Sequence, residues 1–452
     1  MLLPLEVAVA RAVGSLSRLA GRGGGTTLPG KLLSRVDPGA VGRLAARLPH
    51  GTALFSATNG KTTTVAMTAE ILAGRSLAWN DSGANLLSGV TSSLLASGQR
   101  DLGLFEVDEA AIPAVARRLS PRVIGLGNLF RDQLDRYGEL ESIAERWRGA
   151  LADLPTARLV VNADDPLLGE LVRGRSGVVT YGLDDPTQAR PSLQHAADSK
   201  YCTACGTPYV YRAAYVGHLG DYRCPSCALE RLPLTVRARE IELHGLDGSR
   251  FLLETPEGSE RVALALPGLY NVYNAVAAAA LAGALGATPG EIVAGLDRFV
   301  SAFGRFERIA IGGRSLILLL IKNPAGANEA VRTLVESSAP TVAVVALNDE
   351  IADGRDISWI WDVDFEPLLA GFDRVVVSGG RAAELALRFA YGGLARDRIE
   401  VVPELEEALD RGLALTPDGG ELVVLPTYTA MLALRRVLAA RGHVENYWKQ
   451  AR

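Results

Sequence analysis

The sequence predicts an α/β protein. A central P-loop domain stands on a parallel sheet, a four-cysteine zinc ribbon is inserted into it, and a Rossmann-like α/β domain follows at the C-terminal end. Three observations carry this prediction. Short apolar runs alternate with helical stretches, the pattern of parallel strands joined by crossover helices. One such run leads into Ala57-Thr58-Asn59-Gly60-Lys61-Thr62-Thr63 and then a helix, the setting of a phosphate-binding loop. Two Cys-x-x-Cys knuckles, Cys202/Cys205 and Cys224/Cys227, stand 18 residues apart, a metal-ribbon spacing.

Composition bounds the rest. At roughly 100–200 residues per domain, 452 residues make two to four domains. An apolar content of 48 % with 22 % charged residues excludes disorder as the main state. A net charge of −4 excludes a global basic field for nucleic acid. Only five of the 47 basic residues are Lys: Lys31, Lys61, Lys200, Lys322 and Lys449. Each of these draws attention, because Lys and Arg are not interchangeable where a compact point charge meets phosphate.

Residues 1–50 read as a helical lead-in. Met1 to Ala20 carries Glu6, Arg11 and Arg18, too much charge for a membrane span, and it lacks the basic start of a secretion signal. Val7, Ala8, Val9, Ala10, Val13, Leu16 and Leu19 read as one side of a helix, packed on the protein body or docked on a membrane surface. The expectation is a cytoplasmic protein with at most peripheral membrane contact. Gly21–Gly25 and Pro29-Gly30 break this helix.

Residues 51–300 read as the central domain. Its strands are Thr52–Phe55, Leu102–Val107, Val123–Gly127 and Leu159–Asn162, with a helix over Thr63–Ala73. The Cys- and Tyr-rich insert occupies 201–228. Short strands follow over 234–265, with hairpin signals at Asp247-Gly248 and Glu257-Gly258, and then an Ala-rich helix from Asn271 to Leu285. Residues 301–452 form the second α/β set, with strands at Ser315–Ile321, Thr341–Leu347, Arg374–Ser378 and Glu421–Leu425. Trp359 and Trp361 alternate as on a strand, in packing or interface roles.

The chemistry concentrates in two places. In the loop, backbone N–H groups and the helix N-terminus form an anion nest, and Gly60 lets the backbone approach phosphate. Lys61 supplies a point charge, and the Thr62 hydroxyl holds Mg²⁺. The Gly of the general pattern five residues before Gly60 is Phe55 here. In the insert, four thiolates can surround one Zn²⁺ tetrahedrally, leaving no open position, so the metal is structural. Two disulfides or free thiols are the alternative. His218, between the knuckles, is expected on the surface rather than in the ligand set.

Thr58 to Thr63 resembles the loop of the Mur ligase superfamily, ATP-dependent enzymes that form amide bonds through an acyl phosphate. Five further segments follow in that family's order. Phe105-Glu106-Val107-Asp108-Glu109-Ala110 is similar to its acidic strand end, with Glu106 at the Mg²⁺ position. Asn128 to Gly138 is similar to its Asn…Asp-His-Leu-Asp-Arg segment, and Asn162-Ala163-Asp164-Asp165-Pro166 to its Asn-Ala-Asp-Asp-Pro. Gly268-x-x-Asn271-x-x-Asn274 resembles its adenine-contacting helix start, and Gly304-Arg305-Phe306-Glu307 its interdomain hinge. The resemblance implies a Mur ligase-like central ATPase domain that uses ATP and Mg²⁺. Thr58, Asn59, Gly60, Lys61, Thr62, Thr63, Glu106, Asn271, Asn274 and Arg305 then surround the nucleotide. An ion pair with Glu307 is the alternative role for Arg305. Gln133 replaces a metal-binding His of the family, and no Lys takes the place of its carbamylated one, Lys200 lying beside the insert.

Four segments resemble one branch, the MurT-type synthetase subunits of glutamine-hydrolysing lipid II isoglutaminyl synthases. They are Gly23 to Lys31, the cysteine insert, Lys322 to Glu329, and Asn348 to Asp362. The resemblance implies amidation of the D-glutamate α-carboxyl of lipid II, in a heterodimer with a GatD-like glutaminase. It also implies that Asp349, Asp353 or Asp356 supplies the acidic third member of the partner's triad; for each, an Asx turn or helix cap is the alternative. Glutamine-derived ammonia requires a thiol nucleophile. All four Cys are assigned to zinc and position 2 is Leu, so the ammonia source is another chain. The competing readings are a stand-alone Mur or folylpolyglutamate-like amino acid ligase and a zinc-ribbon nucleic-acid binder.

Overall fold

A computed structural model describes residues 27–81, 83–132, 140–194, 197–300, 306–337 and 341–445. The predicted helix at Met1–Ala20, Gln133 and Arg305 lie outside the described residues.

The first sheet contains β1 (Thr52–Ser56), β2 (Leu77–Trp79), β3 (Leu102–Glu106), β4 (Val123–Leu126), β5 (Arg158–Asn162) and β6 (Val178–Leu183). A separate hairpin, β7 (Val210–Val216) and β8 (Leu219–Arg223), interrupts it. β9 (Val236–Leu243), β10 (Ser249–Thr255) and β11 (Gly258–Leu264) then complete it. Its order is β11-β10-β9-β6-β5-β4-β1-β3-β2, parallel from β2 across to β9 and antiparallel through the last two strands. β1, β3 and β4 are buried along their whole length, because helices cover both faces and no strand residue meets water. The helix Leu269–Ala284 is buried on nearly every side. Its run of Ala lets it lie close against β5, β6 and β9.

The second sheet comprises β12 (Phe306–Ile311), β13 (Arg314–Leu319), β14 (Val342–Ala346), β15 (Arg374–Ser378), β16 (Ile399–Val401) and β17 (Glu421–Pro426). They run in the order β12-β13-β17-β14-β15-β16, parallel except for the β12–β13 hairpin. The α/β prediction is borne out. No helix among the described residues is long and apolar enough to cross a membrane.

Two local expectations are corrected. Trp359 and Trp361 lie on a 3₁₀ turn, Ser358–Asp362, not on a strand. The Asp356 carboxylate accepts the Ser358 N–H at 2.8 Å, an Asx turn that leads into the 3₁₀ turn. Trp359 packs on the core, whereas Trp361 is half exposed, with the Arg388 guanidinium 5.6 Å from its ring centre. The first helix of the central sheet starts at Lys61 rather than Thr63.

Sheet order places the chemistry. β1 lies between β3 and β4. The loops leaving the carboxyl ends of these three neighbours carry Asn59-Gly60-Lys61, Val107-Asp108-Glu109 and Asn128. Ligands of doubly wound sheets bind at this edge.

Candidate active site

Gly60 shapes the loop. Its φ of 86° is left-handed, and a Cβ there would stand 2.0 Å from Asn274 Oδ1. The loop is fixed from two sides. Asn59 N–H donates to Asn128 Oδ1 at 2.9 Å, and Asn128 Nδ2 donates to the Asn59 carbonyl at 3.0 Å. Across the cleft, Asn59 and Asn323 exchange amide hydrogen bonds of 3.0 and 3.3 Å. Thr58 Oγ1 accepts from Phe130 N–H at 3.0 Å. Thr62 and Thr63 occupy the first helical turn, whose N–H groups lack intrahelical acceptors and suit an anion. Asn274 lies against this turn, 3.4 Å from Thr64 Oγ1, and donates to Asn271 Oδ1 at 3.0 Å. Asn271 in turn donates to the Pro267 carbonyl. The structure therefore brings Thr58 to Thr63, Asn271 and Asn274 together around one loop.

The charges are arranged in a way the sequence does not reveal. Lys61 is buried, and its Nζ lies 2.7 Å from Glu109 Oε2 while also donating to the Ala57 and Thr58 carbonyls. Burial pulls the Lys61 ammonium pKa down. Glu109, Glu106 and Asp108 outweigh that, and the net direction is up. For Glu109 burial pushes the carboxyl up, but Lys61 and Lys322 bring it below the ordinary value. Glu106, at the end of β3, is 3 % exposed and accepts from Asn85 at 3.4 Å, with its backbone held on both sides by Asn80. Lys322, just past β13, reaches over from the second sheet. Its Nζ bonds Asp132 at 2.7 Å and the Thr58 carbonyl at 3.0 Å. Glu109 and Asp132 are thus site residues that the sequence left without a role. Both lie inside the segments quoted above, so acidic density beside the loop was the available signal. Glu307, the alternative partner of Arg305, accepts a bond from Arg435, and Arg305 itself lies outside the described residues.

The four cysteine Sγ atoms lie within 4.8 Å of one another, with Cys202–Cys227 and Cys205–Cys224 both at 3.5 Å. These separations exceed the roughly 2.05 Å of a disulfide. They are close to the ~3.8 Å edge of a tetrahedron with ~2.3 Å zinc–sulfur bonds. The residues therefore fit a structural zinc. Knuckle turns support each pair: Gly206 N–H donates to the Cys202 carbonyl at 2.8 Å, and Cys224 N–H to the Leu229 carbonyl at 2.7 Å. Tyr209, Tyr222 and Leu229 pack beneath them.

His218 is not on the surface. It is fully buried at the turn between β7 and β8, its ring tilted against Phe130 with centroids 4.6 Å apart, and with Nε2 3.5 Å from Asp165. The turn folds against Phe130 so closely that a Cβ on Gly217, at φ 58°, would come within 2.7 Å of that ring. Asp164 anchors the same hairpin. It takes Arg231 at 3.1 Å and Tyr273 OH at 2.6 Å, while its carbonyl accepts Gly220 N–H at 2.9 Å. Burial pushes the Asp164 carboxyl up against the opposing pull of Arg231.

The hairpin therefore joins two sites. Its knuckle end holds the thiols, and its turn contributes Val216 and Leu219 to the wall of the cleft beside Gly60 and Asn274. Cys224→Ser is expected to abolish one bound zinc per chain, read by elemental analysis. It should lower the melting temperature by about 10 °C and weaken nucleotide binding through the loosened turn. Unchanged melting with zinc lost would contradict a structural metal.

The three aspartates separate. Asp353 is 6 % exposed and accepts Thr429 N–H at 2.8 Å, capping the first turn of the helix Tyr428–Ala440. Burial pushes its carboxyl up. Asp356 is occupied by the Ser358 turn, and that hydrogen bond lowers its carboxyl. Asp349 is partly exposed at the carboxyl end of β14, where its Oδ2 accepts 2.7 and 3.0 Å bonds from Arg381.

Two family models match the chain: the Mur ligase middle domain over residues 57–218 and the MurT ligase C-terminal domain over 320–431. Along 434 residues, covering 94 % of both chains, it is 33 % identical to the subunit MurT of the glutamine-hydrolysing lipid II isoglutaminyl synthase of Streptococcus pneumoniae. The chain belongs to the MurT family. The MurT subunit of Staphylococcus aureus is 31 % identical over 430 residues, with 94 % of each chain covered. Solved structures place this MurT-family chain in the Mur ligase fold. A pseudomurein peptide ligase type C from Methanothermus fervidus superposes with a TM-score of 0.69 at 22 % identity, covering 86 % of this chain and 79 % of that one. MurF from Acinetobacter baumannii gives 0.67 at 21 % identity, covering 92 % and 80 %. The Mur ligase and MurT families comprise ATP-dependent ligases.

Proposed function

We propose that this chain is the ATP-consuming synthetase subunit that amidates the D-glutamate α-carboxyl of lipid II to D-isoglutamine. The ammonia comes from a GatD-like glutaminase partner. One observation carries the reading: a phosphate loop and a MurT-type C-terminal domain share a chain whose four cysteines all sit in one cluster. No thiol is left to attack glutamine.

In the first step a substrate carboxylate oxygen attacks the γ-phosphorus of ATP, and the bond to the β-phosphate oxygen breaks to release ADP. In the second, ammonia attacks the acyl carbon and the carbon–oxygen bond to phosphate breaks. The nitrogen gives up a proton, leaving the amide and inorganic phosphate. The chain's part is positioning and charge neutralisation. Lys61 and Lys322 supply cations, the first helical turn supplies N–H donors, and Thr62 with Glu106 would hold Mg²⁺, which spreads phosphate charge. Asn271 and Asn274 border the nucleotide. Asp349 is the residue best placed to complete the partner's triad, since Asp353 and Asp356 serve internal turns.

The test uses the purified chain with lipid II, ATP and Mg²⁺. Amidation is expected with ammonium salts, absent with glutamine, and restored with glutamine once the glutaminase is added. Glutamine hydrolysis by the chain alone overturns the reading. So does incorporation of a labelled amino acid with no response to ammonia, which is the result for a stand-alone ligase.

A further inference from the structure

One wall of the cleft carries a charge that the reaction above leaves unused. The helix Pro324–Glu336 follows Lys322 and Asn323 and presents Ala325, Gly326, Glu329 and Ala330 to the cleft opposite Gly60 and Asn274. Glu329 is 2 % exposed. Its Oε1 accepts a 3.0 Å bond from Arg190, which fixes the carboxylate plane. Its Oε2 is buried with no hydrogen-bond partner. Around it the wall is apolar and aromatic, built from Val216, Leu219, Phe130, Tyr270 and Tyr273. Such a surface suits a planar base more than a ribose or phosphate. A buried carboxylate oxygen without a donor is costly, so in a binding cleft it marks where a ligand's donor belongs.

We propose that Glu329 reads the base of the nucleotide, its Oε2 accepting a hydrogen bond from the exocyclic 6-amino group of adenine. The inference rests on the reading of this cleft as the nucleotide site. Burial pushes the Glu329 carboxyl above its ordinary value against the opposing pull of Arg190 and Arg332; in its ionised form the carboxylate only accepts. A purine with an oxygen at position 6 would set two acceptors face to face in a dry wall, so hypoxanthine and guanine nucleotides are rejected. Guanine's paired N1–H and 2-amino donors would need both carboxylate oxygens, and one is held by Arg190.

The experiment is calorimetric binding of ATP, ITP and 2′-deoxy-ATP, each with Mg²⁺, to the full chain. Wild type is expected to bind ATP at least about tenfold tighter than ITP, since a site with an unpaired polar group discriminates strongly. In Glu329→Gln the amide oxygen keeps the Arg190 bond and the amide nitrogen faces the base. The ATP-to-ITP ratio should fall below about threefold or reverse. Glu329→Asp, which withdraws the carboxylate by one methylene, should weaken ATP several-fold and leave ITP unchanged. An unchanged ATP-to-ITP ratio in a Gln variant that melts like wild type overturns the proposal. It is also overturned if the variant alters only the ATP-to-2′-deoxy-ATP ratio, which would assign the carboxylate to the ribose. Failure of wild type to bind ATP at all would strike the nucleotide-site reading instead, and the two failures are distinguishable.

Discussion

Asp349→Asn is expected to cut glutamine-driven amidation by the reconstituted complex by about 10³–10⁴-fold, the scale on which a triad acid fixes its histidine. Ammonia-driven amidation should stay within twofold of wild type. The selectivity follows from where the residue sits. Asp349 is partly exposed at the end of β14, and its recorded ion pair is with Arg381, which also holds Glu384 at 2.9 Å. Removing its charge therefore costs the fold little, because partly exposed ion pairs contribute at most about 1 kcal/mol. Asp353→Asn is the contrasting control. It weakens the cap on the helix Tyr428–Ala440, so both nitrogen sources should suffer together, alongside a stability loss of about 1 kcal/mol. Parallel loss of ammonia- and glutamine-driven rates in Asp349→Asn, with normal melting, would remove the residue from the partner's site.

Lys61→Ala should lower ATP turnover with ammonia and lipid II by about 10²–10³-fold, the effect of deleting one preorganised charge-stabilising donor. It should also destabilise the chain by about 3 kcal/mol, because Glu109 is left as a buried carboxylate without its principal partner. The two effects can be separated. Lys61→Met/Glu109→Leu removes both charges, so melting should recover while turnover does not. The pH dependence has a definite sign. The Glu109 carboxyl is lowered, so its stabilisation is complete above the ordinary carboxylate range and is lost as pH falls through its folded value. The Lys61 ammonium is raised, so its share persists until pH climbs past the ordinary ammonium value and through the folded one. The stability gap between wild type and Lys61→Ala should therefore close on acidification, as followed by melting across a pH series. A gap that widens towards acid would argue against the ion pair.

Most of the buried centre of the fold was legible because its strands are continuous apolar runs bounded by turn residues; β6, Val-Val-Thr-Tyr-Gly-Leu, is buried mid-sheet yet was not read, since Thr180 and Gly182 interrupt its apolar run. Leu102–Glu106 and Arg374–Ser378 can be read from composition alone. The edges were not. β2 has three residues, β16 is Ile-Glu-Val, and in β12 the adjacent Glu307 and Arg308 break the run between Phe306 and Ile309, so neither length nor hydrophobicity marks them. The phosphate loop was legible because Gly60 and Lys61 are required by local geometry. The Lys61–Glu109 and Lys322–Asp132 pairs were not, since they join residues 48 and 190 positions apart. His218 shows the same limit: the local sequence places it between two metal knuckles, and only the folding of the hairpin onto Phe130 buries it.

The seam between the two sheets runs through the phosphate loop. Asn59 is held by Asn128 on its own side and Asn323 on the other, and the Thr58 carbonyl takes Lys322. If the second sheet swings away, these groups turn to water and the loop loses half of its fastening. Its shape therefore belongs to neither sheet, and an excised central domain would be a poor witness to how this loop grips a phosphate.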